Sequence, residues 1–384
     1  MIGATSMREK GRRVPRALMY VVLALVTLGL VVLASASSVR GEVTAGDPGY
    51  FWKKQMAWLG VGLPAGWLAS LVDYRRWRKL ARPLMLITLL LLLLVLLFGP
   101  RIGGSRRWLH AGGFSVQPTE LAKFAAVAFL AERMSRVPLR AERLKEGLLG
   151  PGVGMGLMIL LIMLEPDVGA SLLIGAVGWT VLLVSGARLL YLLGGGLAGV
   201  AAIGAYIRLN PVRWGRIEAW LWPDQHPDIA YHFLEARNAF VLGGAGINPG
   251  GSMQKHFYLP EAHTDFIFAI LGEEFGVWGS LGVVMLFVAF LVCGILISLR
   301  VHDRFGRLLA FGLTMTITLQ ALIHVAVVTG AVPTKGITLP FFSYGGSSLV
   351  MALLQAGILL NIGGGVGPRA GAAEDFAGDR IHRL

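Results

Sequence analysis

The chain has 384 residues, 55% hydrophobic and only 15% charged, an apolar share beyond what a soluble domain of this length needs for its core. Its formal charge of +13 lies in short basic clusters between apolar runs, not in one stripe or tail, which argues against nucleic acid as a partner. A lone cysteine, Cys293, inside an apolar run excludes an internal disulfide and a cysteine-based metal site.

In chain order, Arg8, Lys10, Arg12, Arg13 and Arg16, an apolar run and Ala34-Ser35-Ala36 imitate a cleavable signal. That run is of spanning length and many more follow it, so an uncleaved first helix is expected. At about 17 to 25 apolar residues per span, spans are predicted near 17–36, 52–71, 83–98, 118–134, 148–164, 167–185, 189–207, 275–298, 307–330 and 343–362. The predicted fold class is therefore an all-α polytopic membrane protein with ten transmembrane helices. The clusters Arg75-Arg76-Arg78-Lys79 and Arg133 to Lys145 place both termini in the cytoplasm. Residues 1–16 are then a basic cytoplasmic N-terminus, 17–362 the ten-helix domain and 363–384 a polar cytoplasmic tail expected to be disordered.

The connection from about 208 to 274, between the seventh and eighth predicted helices, faces outside and is far longer than a simple helix connection. Trp214, Trp220 and Trp222 among Arg213, Arg216 and Asp224 suit a piece lying at the membrane interface. A smaller outer loop, Gly99 to Gln117, carries Arg106, Arg107, Trp108 and His110.

Ionisable groups near membrane depth are costly, and four places carry them. Glu120 and Lys123 stand i, i+3 behind Pro118, paired either to fix their helix or to line a polar cavity. Glu165-Pro166-Asp167 reads chiefly as a tight turn that caps the next helix. Asp265 closes the long loop after Gln254-Lys255 and Pro260 to Thr264, at the outer interface, as a helix cap or as a base. The glycines from Gly243 to Gly251 are a weak phosphate signal. Between the last two spans, Pro333-Thr334-Lys335-Gly336-Ile337-Thr338-Leu339-Pro340 and Ser343 to Ser348 break the helical pattern. Such backbone survives at membrane depth only when buried in protein or lining a cavity, and Lys335 offers a point charge for phosphate.

At these residues the chain resembles the SEDS family of shape, elongation, division and sporulation proteins, which includes FtsW, RodA and SpoVE. The resemblance spans nearly the whole chain: Ser35-Ala36-Ser37-Ser38 closing the first span, Arg107-Trp108, Gln117 to Lys123, Glu165 to Asp167, Gln254-Lys255, Pro260 to Phe268 and Pro333 to Ser348. Ser37-Ser38, Ala262 and Ser347-Ser348 side with the FtsW branch over the RodA branch, whereas Glu235-Ala236 and His324 depart from the family's usual Gln-Ser and Asn. The resemblance implies a multi-pass protein of the cytoplasmic membrane, at the division septum, that polymerises lipid II into glycan strands at the outer face. It also implies a class B penicillin-binding protein of the FtsI type and other division proteins as partners. Asp265 is the candidate general base; Arg107, Glu120, Lys123, Gln254, Lys255, His263, Thr264, Lys335, Thr338, Ser343, Tyr344 and Ser347 are the candidate substrate-binding set. No soluble cofactor is implied, and a divalent cation, Mg or Mn, is chemically compatible with a diphosphate leaving group. The alternatives are a lipid II flippase, an elongation polymerase of the RodA type and a non-catalytic scaffold.

Overall fold

The computed structural model describes residues 2–102, 104–111, 114–136, 150–254 and 261–365. Lys255, Leu259-Pro260, the basic residues from Arg140 to Lys145 and the tail beyond Gly365 lie outside the described residues. Twelve helices stand among those described: α1 (Ile2–Ala45), α2 (Tyr50–Leu71), α3 (Arg75–Phe98), α4 (Pro118–Arg136), α5 (Gly150–Leu164), α6 (Val168–Val184), α7 (Leu189–Arg208), α8 (Pro211–Leu221), α9 (Pro227–Gly243), α10 (Ile267–Arg300), α11 (Arg304–Val328) and α12 (Gly346–Gly364). Each of the ten predicted segments coincides with a helix. Six of these helices are long and apolar enough to cross a membrane by length and composition, and α5 and α6 are shorter apolar helices. The protein is an integral membrane protein whose core is interdigitated aliphatic and aromatic side chains.

Two helix boundaries differ from the expectation. The Ser35 to Ser38 run does not close α1, which continues to Ala45 and stops at Gly46, where a φ of 66° suits a residue without Cβ. The helix that carries the eighth predicted span starts at Ile267, not 275, because Phe266 to Leu271 is apolar enough to be helical; Gly276, at φ 62° and ψ −162°, divides α10 into two pieces near the predicted start. The fold is all-helical as expected, and the outer loop before α4 adds one short antiparallel hairpin of β1 (Leu109–Ala111) and β2 (Phe114–Val116), with Leu109 opposite Val116. The long connection is likewise folded, carrying α8, a 3₁₀ turn at Pro223–Gln225 and α9.

Side-chain contacts sort the helix ends into two groups. At one end Asn361 Oδ1 accepts from Tyr74 N (2.9 Å) and Asn361 Nδ2 donates to Ser70 O (2.8 Å), joining α12 to α2 and α3. Glu132, fully buried at the end of α4, pairs there with Arg82 (3.3 Å) and Arg136 (2.7 Å). Arg304 donates to Ser185 O (2.9 Å) at the same end. At the other end Gln55, Arg107, Gln117, Asp167, Asp265 and Ser347 are brought together, as detailed below.

Close backbone approach holds the frame. α2 lies along α12 with Gly66 facing Gly357, and a Cβ built on Gly357 would strike the Gly66 carbonyl. Gly357→Ala is therefore predicted to lower stability by about 1–3 kcal/mol through overpacking, seen as a lower melting temperature of the detergent-purified protein.

Candidate functional site

Two irregular segments build the site. The first is the turn Glu261–Phe266, in which Thr264 N and Asp265 N both donate to Glu261 O (3.1 Å each) and Glu261 takes φ 57°. The second is the stretch from Thr329 to Gly345 between α11 and α12, with Phe341 at φ 68°. A left-handed non-glycine residue costs energy and survives where surroundings over-determine it. Gly29 of α1 supplies part of that surround, since a Cβ there would collide with the Phe341 carbonyl.

Hydrogen bonds stitch the segments together. Ser343 Oγ donates to Thr264 O (2.6 Å) and accepts from Leu339 N (2.8 Å), and Tyr344 N donates to His263 O (2.9 Å). Gln55 of α2 donates to Ser343 O (3.3 Å) and accepts from Gly345 N (3.2 Å). The rings of His263 and Tyr344 pack on Phe51, at centroid distances of 4.5 and 5.0 Å. Burial keeps the His263 imidazole below its ordinary pKa, so it packs as a neutral ring.

Asp265 sits one residue before the N-cap of α10, which is Phe266 and has no side-chain cap bond, so the carboxylate is not spent on capping. Among the described residues its side chain makes no hydrogen bond or ion pair. Gly336 lies against it: a Cβ on Gly336 would come within 2.9 Å of Asp265 Oδ2. Burial pushes the Asp265 carboxyl up to about 6, with Glu261 and Asp167 adding to the rise and Arg107 and Arg216 opposing it. Arg216 comes from α8, which is docked by Trp220 Nε1 donating to Gly330 O (2.8 Å).

Behind Gly336 lies a cavity of about 50 Å³, lined by Gln117, Thr119, Glu120, Lys123, Asp167, Gln320 and Gly336 to Thr338, among others. Glu120 and Lys123 form a buried ion pair (2.7 Å). Lys123 Nζ also donates to Gln320 Oε1 (2.7 Å), and Gln320 Nε2 donates to Thr338 O (2.9 Å). Thr338 Oγ1 meets Ser348 Oγ (3.3 Å), while Ser347 Oγ accepts from Gln117 N (3.1 Å). Lys335 accepts from Ile337 N through its main-chain carbonyl (3.1 Å), but among the described residues its ammonium has no hydrogen bond or ion pair; burial holds it below the ordinary lysine range. Arg107 braces the 165–167 turn, donating to Glu165 O (3.3 Å) and Pro166 O (2.5 Å) with Nε 4.0 Å from Asp167 Oδ2. Asp167 caps α6 through Ala170 N (3.1 Å), as the sequence predicts.

The sequence-predicted residues thus divide. Asp265, Lys335, Thr338, Ser343, Tyr344, Ser347, His263, Thr264, Arg107, Glu120 and Lys123 belong to this end of the bundle. Thr264 Oγ1 is engaged locally with Glu261 (3.1 Å), and Gln254 is held by its main chain to Glu273 on α10 (3.4 Å), apart from the cavity lining. The Gly243 to Gly251 run packs on α10, with Asn248 N donating to Glu274 O (2.7 Å) and Val277 N to Gly244 O (2.9 Å). Sequence reasoning missed Gln55, Gln320 and Glu273 and saw His324 only as a departure from the family. Yet His324 Nδ1 bonds Ile337 O (2.6 Å), next to Gly336. Among the described residues, no group of three or more His, Cys, Asp or Glu side chains is placed to hold a metal ion.

A helical membrane protein with a charged site where two broken segments meet is the class that fold and site define. The family model of the cell cycle proteins FtsW, RodA and SpoVE matches residues 15–364, and the chain belongs to that family. A probable peptidoglycan glycosyltransferase FtsW of Trichlorobacter lovleyi is 38% identical over 353 residues, covering 91% of this chain and 93% of the relative. The stage V sporulation protein E of Bacillus subtilis is also 38% identical, over 352 residues, 90% of this chain and 95% of the relative. Among solved structures, the rod shape determining protein RodA of Thermus thermophilus superposes with a TM-score of 0.68 at 29% identity, covering 90% of this chain and 95% of its own. A chain from a peptidoglycan synthase complex, described as coordinating polymerization and crosslinking, superposes with a TM-score of 0.75 at 30% identity, covering 90% and 96%.

The ion pair makes a prediction. Lys123→Met leaves the Glu120 carboxylate buried and uncompensated, so a loss of about 3–5 kcal/mol is expected, whereas Glu120→Gln combined with Lys123→Met is less destabilised than either change alone. Melting temperatures of the three variants in detergent check the order.

Proposed function

We propose that this chain is a peptidoglycan glycosyltransferase that polymerises lipid II into glycan strands at the outer face of the cytoplasmic membrane, in septal synthesis. The observation that carries the site reading is Asp265: a carboxyl with no hydrogen-bond partner among the described residues, set against Gly336 where the two broken segments meet. Its raised pKa of about 6 makes it a better base than an ordinary aspartate while leaving it mostly ionised at neutral pH.

The reaction follows from these groups. The acceptor sugar hydroxyl gives its proton to an Asp265 oxygen, its oxygen attacks the anomeric carbon of the donor, and the bond to the polyprenyl diphosphate breaks with inversion. The departing diphosphate carries the electron pair away, and positive charge must meet it. Lys335, which has no counterion among the described residues, and Arg107, whose charge is felt at Asp265, are the side chains offered. Lys123 is already engaged with Glu120 and Gln320, so its part is to hold the cavity wall; Thr338, Ser343, Tyr344 and Ser347 hold the backbone around it. The partition of helix ends supports ten crossings, with the Glu132 end cytoplasmic and the Asp265 end outside. Placed so, the lipid tail stays among the helices while the diphosphate and sugars meet the outer segments. A class B penicillin-binding protein that crosslinks the strands is the proposed partner.

The test is glycan polymer formed from lipid II by the purified chain reconstituted with its transpeptidase. Asp265→Ala is expected to lower polymerisation about 100- to 10,000-fold with folding and partner binding intact; polymer at near wild-type rate would sink the assignment. Lys335→Ala is expected to be inactive and Lys335→Arg partly active, since the two cations present different geometry to phosphate; full activity of the alanine variant rules out an essential role. Transbilayer movement of lipid II without polymer would point to a flippase instead.

A further inference from the structure

Glu165 is out of place as a charged group. Its side chain is wholly buried, and among the described residues neither carboxyl oxygen has a hydrogen-bond partner. A guanidinium stands beside it but serves others: Arg107 donates to the main-chain carbonyls of Glu165 and Pro166 and approaches the Asp167 carboxylate. Thr119 Oγ1, also buried and without a partner, acts on Glu165 without reaching hydrogen-bond geometry. Asp167 has what Glu165 lacks, an amide from Ala170 and Arg107 at 4.0 Å.

An isolated ionised carboxylate in such surroundings is strongly disfavoured, and the usual outcome is that the group takes up a proton. Burial first, then the neighbouring Asp167, push Glu165 up to about 8, with Arg107 and Thr119 pulling weakly the other way. The two acids of one turn thus have different surroundings, the pattern by which neighbouring carboxyls acquire different roles.

We propose that Glu165 works as a neutral carboxylic acid, a positioning residue whose neutrality leaves the Arg107 charge to Asp167, Asp265 and the diphosphate of the lipid-linked donor. An ionised Glu165 would compete for the guanidinium from inside the turn, drawing it off the two carbonyls that aim it. The diphosphate clause rests on the glycosyltransferase reading; the protonation stands on the burial and the missing donors alone.

Two measurements on the full-length protein test this. In the polymerisation assay, Glu165→Ala opens a cavity beside Arg107 and is expected to slow turnover about tenfold or more, while the neutral isostere Glu165→Gln recovers to within about threefold of wild type at pH 7. Wild-type activity is expected to fall as pH rises through about 8 as Glu165 ionises, and the glutamine variant is expected to lack that alkaline limb. Infrared difference spectra, wild type minus Glu165→Gln and without substrate, are expected to show a protonated-carboxyl stretch at neutral pH that disappears above about pH 9. A folded Glu165→Gln protein as slow as the alanine variant, or a wild type without that band at neutral pH, overturns the proposal. Because the band is read without substrate, its presence in a chain that makes no polymer faults the glycosyltransferase reading and not the protonation.

Discussion

Non-helical backbone inside a bundle of apolar helices has to find its hydrogen-bond partners in the protein, because the bilayer supplies none. The stretch between α11 and α12 meets that demand one group at a time. Trp220 takes the Gly330 carbonyl, His324 that of Ile337, Gln320 that of Thr338 and Gln55 that of Ser343, while Ser343 answers the Leu339 amide. These partners come from α2, α8 and α11, so the stretch cannot shift without unsatisfying several helices at once. Its fixed course puts Gly336 against the Asp265 carboxylate, and the position of the candidate base follows from satisfying the backbone around it.

Charge at this end is managed in two ways. Glu120 and Lys123 neutralise each other and pass their remaining hydrogen-bonding capacity to Gln320, a closed network suited to rigidity. The side chains of Asp265, Lys335 and Glu165 have no direct partner among the described residues, and burial raises both acids and lowers the lysine. Groups held so are poised to exchange protons or to meet an external anion. The apolar side chains exposed on α3 and α7, among them Leu86, Leu90, Leu190 and Leu197, place the bundle in a lipid setting where a substrate's tail and head can be handled by different layers.

The helices were legible because long apolar runs have few other homes, and Asp265 because an acid just before such a run stands out. Boundaries were less legible: α1 passes through Ser35 to Ser38 and α10 reaches back to Ile267, since neither serines nor the outer interface by itself stops a helix. The hairpin was passed over because each of its strands is only three residues long, too short to register in a search for spans. Gln320 and His324 were hidden differently. They are neutral residues within an apolar pattern, spaced i, i+4 on one face of α11, and their use depends on a segment that folds back more than ten residues later. The neutral state of Glu165 was illegible too, because an acid beside proline and aspartate reads as a cap until its burial is known.

The account rests most on Asp265 acting as a base from a partly desolvated position. Catalytic efficiency of lipid II polymerisation as a function of pH, measured on the wild-type chain with its transpeptidase, tests this directly. A base works ionised, so the account predicts that efficiency rises with pH through a single ionisation near about 6 and is lost below it. An efficiency that stays flat from about pH 5 to 7 would contradict it.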